Sequence, residues 1–107
     1  MKTTFGEYIR ELRKENELTL TQLAAKLNLD SANLSKIEND KREFDEKRLP
    51  TLANIFDLNL EDLSTEYLSD KIAKNIYLSE RSDEVLHVAE QKIEYRRNLS
   101  TLKERVS

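Results

Sequence analysis

One short segment carries small polar side chains at the spacing of a helix face. In residues 31–39, "SANLSKIEN", the apolar Leu34 and Ile37 share one side of a predicted helix. The opposite, outward face is short and polar and consists of Ser31, Ala32, Ser35, Lys36 and Asn39. A slender helix with such a face fits the major groove of DNA, which is about 12 Å wide. The same pattern also suits a solvated helix at an ordinary helical corner.

Catalytic chemistry finds little support in the residue types present. The 107 residues include no cysteine, one glycine and one histidine, His87. The lack of cysteine excludes a disulfide, a thiolate metal site and a cysteine nucleophile, and one glycine cannot build a glycine-rich phosphate loop. His87 has no serine or cysteine motif around it, so we interpret it as a structural or surface residue. We expect no enzymatic activity, no metal site and no cofactor.

Composition favours one mainly helical domain with an appended element. Hydrophobic residues make up 37% of the chain and charged residues 36%, which is unlike a β-sandwich or a disordered chain. The N-terminus lacks an apolar signal region, and no run approaches the roughly 18 apolar residues of a membrane span. We therefore expect a cytoplasmic protein with no membrane partner. Because the net charge is -3, any DNA binding must rest on local pattern.

Capping signals place two helices before the polar segment. Thr4 and Glu7 form a capping box that predicts helix 1, and the glycine in its first turn is expected to cost little. Thr19 and Gln22 form a second box that predicts helix 2, with an apolar stripe along one face. The predicted bounds are about residue 15 for the end of helix 1 and 20–27 for helix 2.

A three-residue corner joins helix 2 to the polar segment. Asn28 is among the residues that best tolerate positive φ, Leu29 is placed to plug the corner, and Asp30 is a good N-cap for helix 3. Helix 3 is predicted over residues 31–39. Two short helices joined by such a turn have the geometry in which the second helix enters the major groove.

Three further helices are expected after a charged loop, "DKREFDEKR", over residues 40–48. Pro50 is favoured at the first position of helix 4 because its missing N–H would be unpaired there anyway. Asn59 caps a fifth helix, and a sixth is expected to run from about Tyr67 to Leu78. The sequence "SERSDE" then interrupts the pattern before a long charged helix.

This last helix is expected to begin near Asp83, and it has two rows of residues at heptad spacing that are mostly apolar. One row consists of Val85, Lys92, Leu99 and Val106, and the other of Val88, Tyr95 and Leu102. The pattern predicts a coiled-coil seam with one polar interruption. A second apolar row of Leu86, Ala89 and Ile93 widens the stripe. The helix therefore either pairs with another copy, folds back on its own domain or wraps a different partner.

Residues 18–63 resemble the Xre/Cro-type helix-turn-helix family of phage repressors and restriction-modification controllers. The resemblance rests on "QLAAKLNLD", "NLSKIEND" and "LPTLANIFDLNLEDL". It implies an all-α fold, with a five-helix lambda-repressor-like DNA-binding domain over residues 1–63 that is followed by a helical extension over residues 64–107. Because of its heptad pattern, we expect this extension to be the dimerisation element. The implied function is sequence-specific regulation of transcription by a homodimer on a palindromic or pseudo-palindromic operator in double-stranded DNA.

The resemblance also implies roles for individual residues. The base-reading positions are Ser31, Ala32 and Lys36, with Asn33 and Ser35 beside them. The phosphate contacts are Thr19, Asn39, Lys41, Arg42, Lys47 and Arg48. Arg13 and Glu38 form a structural ion pair. The heptad pattern adds the dimer residues Val85, Val88, Tyr95, Leu99 and Leu102. The acidic residues in the loop make a merely solvated charge run the alternative for its lysines and arginines.

Three departures from the family bear on the phosphate contacts. Leu20 stands where relatives commonly have a glutamine, Asp40 stands where they often have glycine, and the loop before Pro50 is longer. A protein-binding module, such as an antitoxin or adaptor, is the alternative function. We expect no small-molecule effector, because 44 helical residues are too few for an effector domain.

Overall fold

The computed structural model describes residues 3–106, with side chains for residues 3–104. Its regular structure is helical and this part of the chain contains no β-strand, which confirms the all-α fold. The helices are α1 (Phe5–Glu15), α2 (Leu20–Lys26), α3 (Ser31–Glu38), α4 (Leu49–Phe56), α5 (Leu60–Tyr77) and α6 (Ser82–Val106). A 3-10 turn, Glu46–Arg48, precedes α4. One compact unit ends at Asp70 and a second begins at Lys71.

Both predicted capping boxes are confirmed. The Thr4 hydroxyl accepts from the Glu7 N–H at 3.1 Å, and the Glu7 carboxylate accepts from the Thr4 N–H at 3.1 Å. Thr19 and Gln22 exchange the same two bonds at 3.1 and 2.8 Å. Each box satisfies backbone donors that the first turn of a helix leaves unpaired, so α1 and α2 begin where the sequence places them.

The hydrophobic core lies in the first unit. Its most deeply buried side chains are Ile9, Leu23, Leu27, Leu34, Leu52 and Leu63. They come from all five helices of this unit and from the C-cap of α2, Leu27. Burying each aliphatic side chain contributes about 1.5–3 kcal/mol. The core therefore fixes α2 and α3 against the rest of the unit.

The loop between α3 and α4 contributes a core residue that the sequence reading did not identify. Phe44 is buried, with its ring centroid 5.7 Å from that of Phe5. Tyr67 packs edge-on against Phe5 at 5.2 Å and donates its hydroxyl to the Phe44 carbonyl oxygen at 2.8 Å. This aromatic cluster ties the charged loop to the core, which the loop's composition alone did not suggest.

The expected break between a fifth and a sixth helix is wrong, because α5 is continuous from Leu60 to Tyr77. Residues 64–66 contain no glycine or proline, and Leu63 and Tyr67, one turn apart, are buried on the same face. The predicted cap of this helix is present, with the Asn59 side-chain oxygen accepting from the Asp62 N–H at 3.0 Å.

Candidate nucleic-acid interface

The corner between α2 and α3 has the predicted conformation. Asn28 has a φ of 56°, and the Leu29 N–H donates to the Ala24 carbonyl at 2.8 Å, which closes the end of α2. Asp30 caps α3 by accepting from the Asn33 N–H at 2.7 Å. Backbone and cap together set the angle at which α3 leaves the corner.

The outward face of α3 is accessible. Leu34 and Ile37 are buried, whereas Ala32 and Lys36 are exposed. Ser31 and Ser35 are half-buried beside them. These four residues, all of which are expected to read bases, form one accessible strip on α3. Lys36 supplies the positive charge of this strip.

Two asparagines, one in α3 and one at its C-cap, have side-chain partners within the chain. The Asn33 amide donates to Asp30 at 3.0 Å, and its oxygen accepts from Arg42. The Asn39 amide donates to the Ser35 carbonyl at 2.8 Å, and its oxygen accepts from Arg10 at 2.6 Å. Both amides are therefore oriented before any ligand arrives.

The end of α3 is fastened to α1 by a buried salt bridge. Arg13 donates through Nε and Nη2 to the two carboxylate oxygens of Glu38, at 2.8 and 3.0 Å, and through Nη1 to the Leu18 carbonyl at 3.1 Å. Only 2% of the Glu38 side chain is exposed. The hydrogen bond to Glu38 raises the pKa of Arg13, so its guanidinium stays charged throughout the physiological range.

Arg10 is a second cation at this carboxylate, and the sequence reading did not identify it. Its Nε lies 3.5 Å from Glu38, and its Nη2 donates to the Glu38 carbonyl at 3.3 Å and to Asn39. Arg10 lies one helical turn before Arg13 on α1. This i,i+3 pair of arginines is the sequence feature that could have predicted a second cation at Glu38. The two arginines anchor the last turn of α3.

Gly6 lets α1 approach α3 closely. A Cβ at this position would lie well inside van der Waals contact with the Ile37 carbonyl oxygen and 3.1 Å from that of Glu38. The sequence predicted only that Gly6 costs the helix little stability. The close approach of Gly6 to Ile37 was not predicted, because the two residues are 31 positions apart in the chain. The feature of the sequence that could have pointed to this contact is that Gly6 is the only glycine.

The residues expected to contact phosphate differ in their environments. Lys41 and Lys47 are exposed, and the Thr19 hydroxyl is held in its capping box. Arg48 is half-buried and donates to the Leu27 carbonyl at 2.6 Å, so it fastens the loop to the end of α2. Arg42 is exposed and bonds to Asn33.

Two departures from the family pattern have structural consequences. Asp40 adopts a φ of 59°, the left-handed conformation in which glycine is favoured. Leu20 is half-buried against the core, so it does not present a polar group at the start of α2.

Most of the apolar side chains described in the second unit are exposed. The predicted seam residues on α6 are exposed by 37 to 63%, and they are Val85, Val88, Tyr95, Leu99 and Leu102. Leu86 and Ile93, from the second apolar row, are also exposed. The side chain of Val106, the last heptad residue, lies outside the described residues. No described helix is long and apolar enough to cross a membrane.

Comparison with known families and proteins identifies the first unit. The family described as "Helix-turn-helix domain" matches residues 6–69. Two Bacillus subtilis proteins are similar: an uncharacterized HTH-type transcriptional regulator, RghRB, at 53% identity over 38 residues, and the HTH-type transcriptional repressor RghR at 49% over 39 residues. Each match covers 36% of this chain, and it spans 27% of RghRB and 29% of RghR.

Two solved structures share the fold. The clp gene regulator ClgR from Corynebacterium glutamicum matches with a TM-score of 0.52 at 18% identity, over 82% of this chain and 88% of that one. The SinR protein/SinI protein complex contains a chain that matches with a TM-score of 0.50 at 23% identity, over 95% of this chain and 97% of that one. At such identities the likeness concerns the fold alone.

Proposed function

Because the chain belongs to the Xre-type helix-turn-helix family, we propose that it is a cytoplasmic transcriptional regulator that binds double-stranded DNA as a homodimer. The observation that carries this proposal is the accessible strip on α3. The rest of that helix is engaged by the core, by Asp30 and by the arginines of α1. A rigid helix with one accessible polar face is suited to reading base edges.

Base reading is assigned to the strip. Lys36 donates to guanine O6 or N7, Ala32 contacts a thymine methyl group, and the hydroxyl of Ser31 bonds to a base edge. Because α3 has eight residues, it is about 12 Å long, which limits its direct reading to a few base pairs. Ser35 lies at the edge of the strip and supports these contacts.

Phosphate binding is assigned to exposed cations and polar groups around the motif. Lys41, Arg42 and Lys47 are exposed cations in a loop, residues 40–48, that carries as many acidic as basic side chains. Thr19 is the N-cap of α2, where backbone N–H groups suit a phosphate, whereas Asn39 is the C-cap of α3 and would contact a phosphate only through its side-chain amide. Affinity is therefore expected to fall as salt rises.

Replacing Lys36 with alanine is expected to weaken binding to the preferred duplex by about 1–3 kcal/mol and to relax the preference at one base pair. Lys26→Ala is the matched control, because Lys26 is an exposed lysine in the last turn of α2 and lies outside the strip on α3. Titration of both variants on preferred and random duplexes measures the effect. Equal loss on both duplexes would make Lys36 a phosphate contact and not a base reader.

Dimerisation is assigned to the heptad row of α6, within the extension over residues 64–107. A two-fold dimer would place two copies of α3 about one turn of DNA apart, roughly 34 Å, on an operator of matching symmetry. The exposed apolar side chains on α6 support this proposal, because apolar residues at heptad spacing become buried when two helices pair. Coupling between dimerisation and DNA binding would make occupancy depend on protein concentration.

Substituting Leu99 with glutamate is expected to weaken self-association at least tenfold, because it places a charge in the seam. Leu86→Glu, on the second apolar row, is the matched control and should have a smaller effect. Sedimentation equilibrium at micromolar concentrations compares the two variants with the unmodified chain. A stable monomer of the unmodified chain at tens of micromolar would contradict the dimer.

A protein-binding module, such as an antitoxin or adaptor, is the second candidate function. It is favoured by the second apolar row of α6, since Leu86 and Ile93 extend the exposed apolar surface beyond one seam. A related fold occurs in the SinR protein/SinI protein complex, where the SinR and SinI proteins are bound to each other. In this function the α6 surface would hold a different protein.

Selection of binding sites from a randomised duplex pool, at fixed salt, tests the proposed function. Enrichment of a two-fold symmetric site is expected from a dimer with two reading helices. An asymmetric site would keep the DNA-binding role and remove the symmetric dimer. Failure of the folded protein to enrich any site would favour the protein-binding module.

A further inference from the structure

We propose that Asn33 does not read a base but positions the Arg42 guanidinium against the DNA backbone. This inference rests on the proposed function and assigns to Asn33 a role different from that implied by the family resemblance. Asn33 is the third residue of α3. Successive residues of an α-helix are rotated by about 100°, so Asn33 lies on the flank of the strip and not at its centre, Ala32.

The flank of α3 faces the loop that follows it. Asn33 and Ile37, one turn apart, line a cavity of about 240 Å³ together with Arg42 of the loop. A side chain on this row is directed towards the loop, so direct contact with a base edge would require it to leave its present partners. Its surroundings suit a link between helix and loop.

Asp30 determines which end of the Asn33 amide faces Arg42. A carboxylate only accepts hydrogen bonds, and Asp30 accepts from the Asn33 side-chain nitrogen at 3.0 Å. The amide oxygen is therefore directed away from Asp30, and it accepts from Arg42 Nη1. Asp30 therefore orients the Asn33 amide, and the Asn33 amide oxygen in turn orients the Arg42 guanidinium.

The bond to Asn33 leaves the guanidinium able to bind phosphate. Arginine has five N–H donors, and the contact with Asn33 uses one of them. The remaining donors still include a pair suited to a bidentate phosphate contact. Because Arg42 is exposed, an unanchored side chain would sample many rotamers, and holding it near the first turn of α3 reduces the entropy lost on binding.

A double-mutant cycle with Asn33→Ala and Arg42→Ala tests the inference. Each single variant is expected to lose about three- to tenfold in affinity on both selected and random duplexes, without a change in base preference. Asn33→Ala should cause almost no further loss when Arg42 is already alanine. Arg42→Ala should make the slope of log affinity against log salt shallower by about 0.9, the value for one phosphate contact. Lys36→Ala with Arg42→Ala is the additive control.

The free protein supplies a second measurement that does not depend on DNA. NMR relaxation of the Arg42 Nε–H group should show a more ordered side chain in the unmodified chain than in Asn33→Ala, while the thermal midpoint of unfolding controls for loss of structure. Equal mobility in the two proteins would overturn the inference. So would a changed preference at one base pair or equal loss by Asn33→Ala in both backgrounds. If the unmodified chain binds no duplex, both the proposed function and this role of Asn33 fail. If the chain binds DNA but the affinity losses of Asn33→Ala and Arg42→Ala are additive, only the inference about Asn33 fails.

Discussion

Replacing Gly6 with alanine is expected to destabilise the protein by about 3 kcal/mol. The added methyl group would overlap the carbonyl oxygen of Ile37, and a backbone carbonyl cannot rotate away as a flexible side chain does. Relief would require α1 to move from α3. That movement would lengthen the Arg13–Glu38 bonds and loosen the aromatic packing of Phe5.

The sign of this effect is diagnostic. At an exposed helical position, alanine is more favourable than glycine by about 0.5–1 kcal/mol, so the local preference opposes the clash. Urea unfolding followed by circular dichroism measures the difference. Ala25→Gly in α2 is the matched control, because Ala25 is exposed and its change reports helix propensity alone. A Gly6→Ala protein as stable as the unmodified chain would show that α1 and α3 do not meet at Gly6.

Replacing Arg13 with methionine is expected to cost about 3 kcal/mol. Methionine keeps much of the aliphatic volume but removes both hydrogen bonds to the buried Glu38 carboxylate. Arg10 does not compensate fully, because its contact is longer, 3.5 Å, and more exposed, at 34% of its side chain. The result is a buried anion with one incomplete partner.

A second substitution separates the charge from the packing. Glu38→Leu in the Arg13→Met background should restore most of the lost stability, because the double variant has no buried unpaired charge. Arg10→Met is the matched control and should cost less than Arg13→Met. Additive losses from Arg13→Met and Glu38→Leu would contradict this account, since they would show that the two side chains stabilise the fold independently.

The raised pKa of Arg13 also predicts how pH affects this salt bridge. A cation whose pKa is higher in the folded state contributes stability that is fully present below its unfolded pKa and is lost only as pH rises through the folded value. Both values are strongly alkaline. The protonation of Arg13 should therefore add no pH dependence to the stability difference between Arg13→Met and the unmodified chain in the neutral range.

The family and most of the helix starts could be predicted because their determinants are local. Thr4, Thr19, Asp30 and Asn59 each bond to a backbone N–H three residues later, so each signal is complete within one turn of helix. The corner at Asn28 is equally local. The apolar spacing on either side of it then predicted which face of α3 would be accessible.

The continuity of α5 and the burial of Phe44 could not be predicted with the same security. Phe44 stands among charged residues, and its burial depends on Phe5 and Tyr67, which are 39 residues before it and 23 after it. Tyr67 packs in this aromatic cluster and so belongs to the first unit. Its burial stabilises α5 beyond the position where the sequence predicted a break. Such contacts leave no periodic signal near Phe44.

The sequence by itself determined most of the helix starts, the helix-turn-helix motif and its polar face, because caps and periodicity act over a few residues. Only the tertiary structure decided that Gly6 is a contact point, that Arg10 joins Arg13 at Glu38, and that Asn33 faces Arg42. These relations join different elements of the fold. Their physical reason is steric fit and hydrogen-bond direction in three dimensions, which the spacing of residues along a chain does not encode.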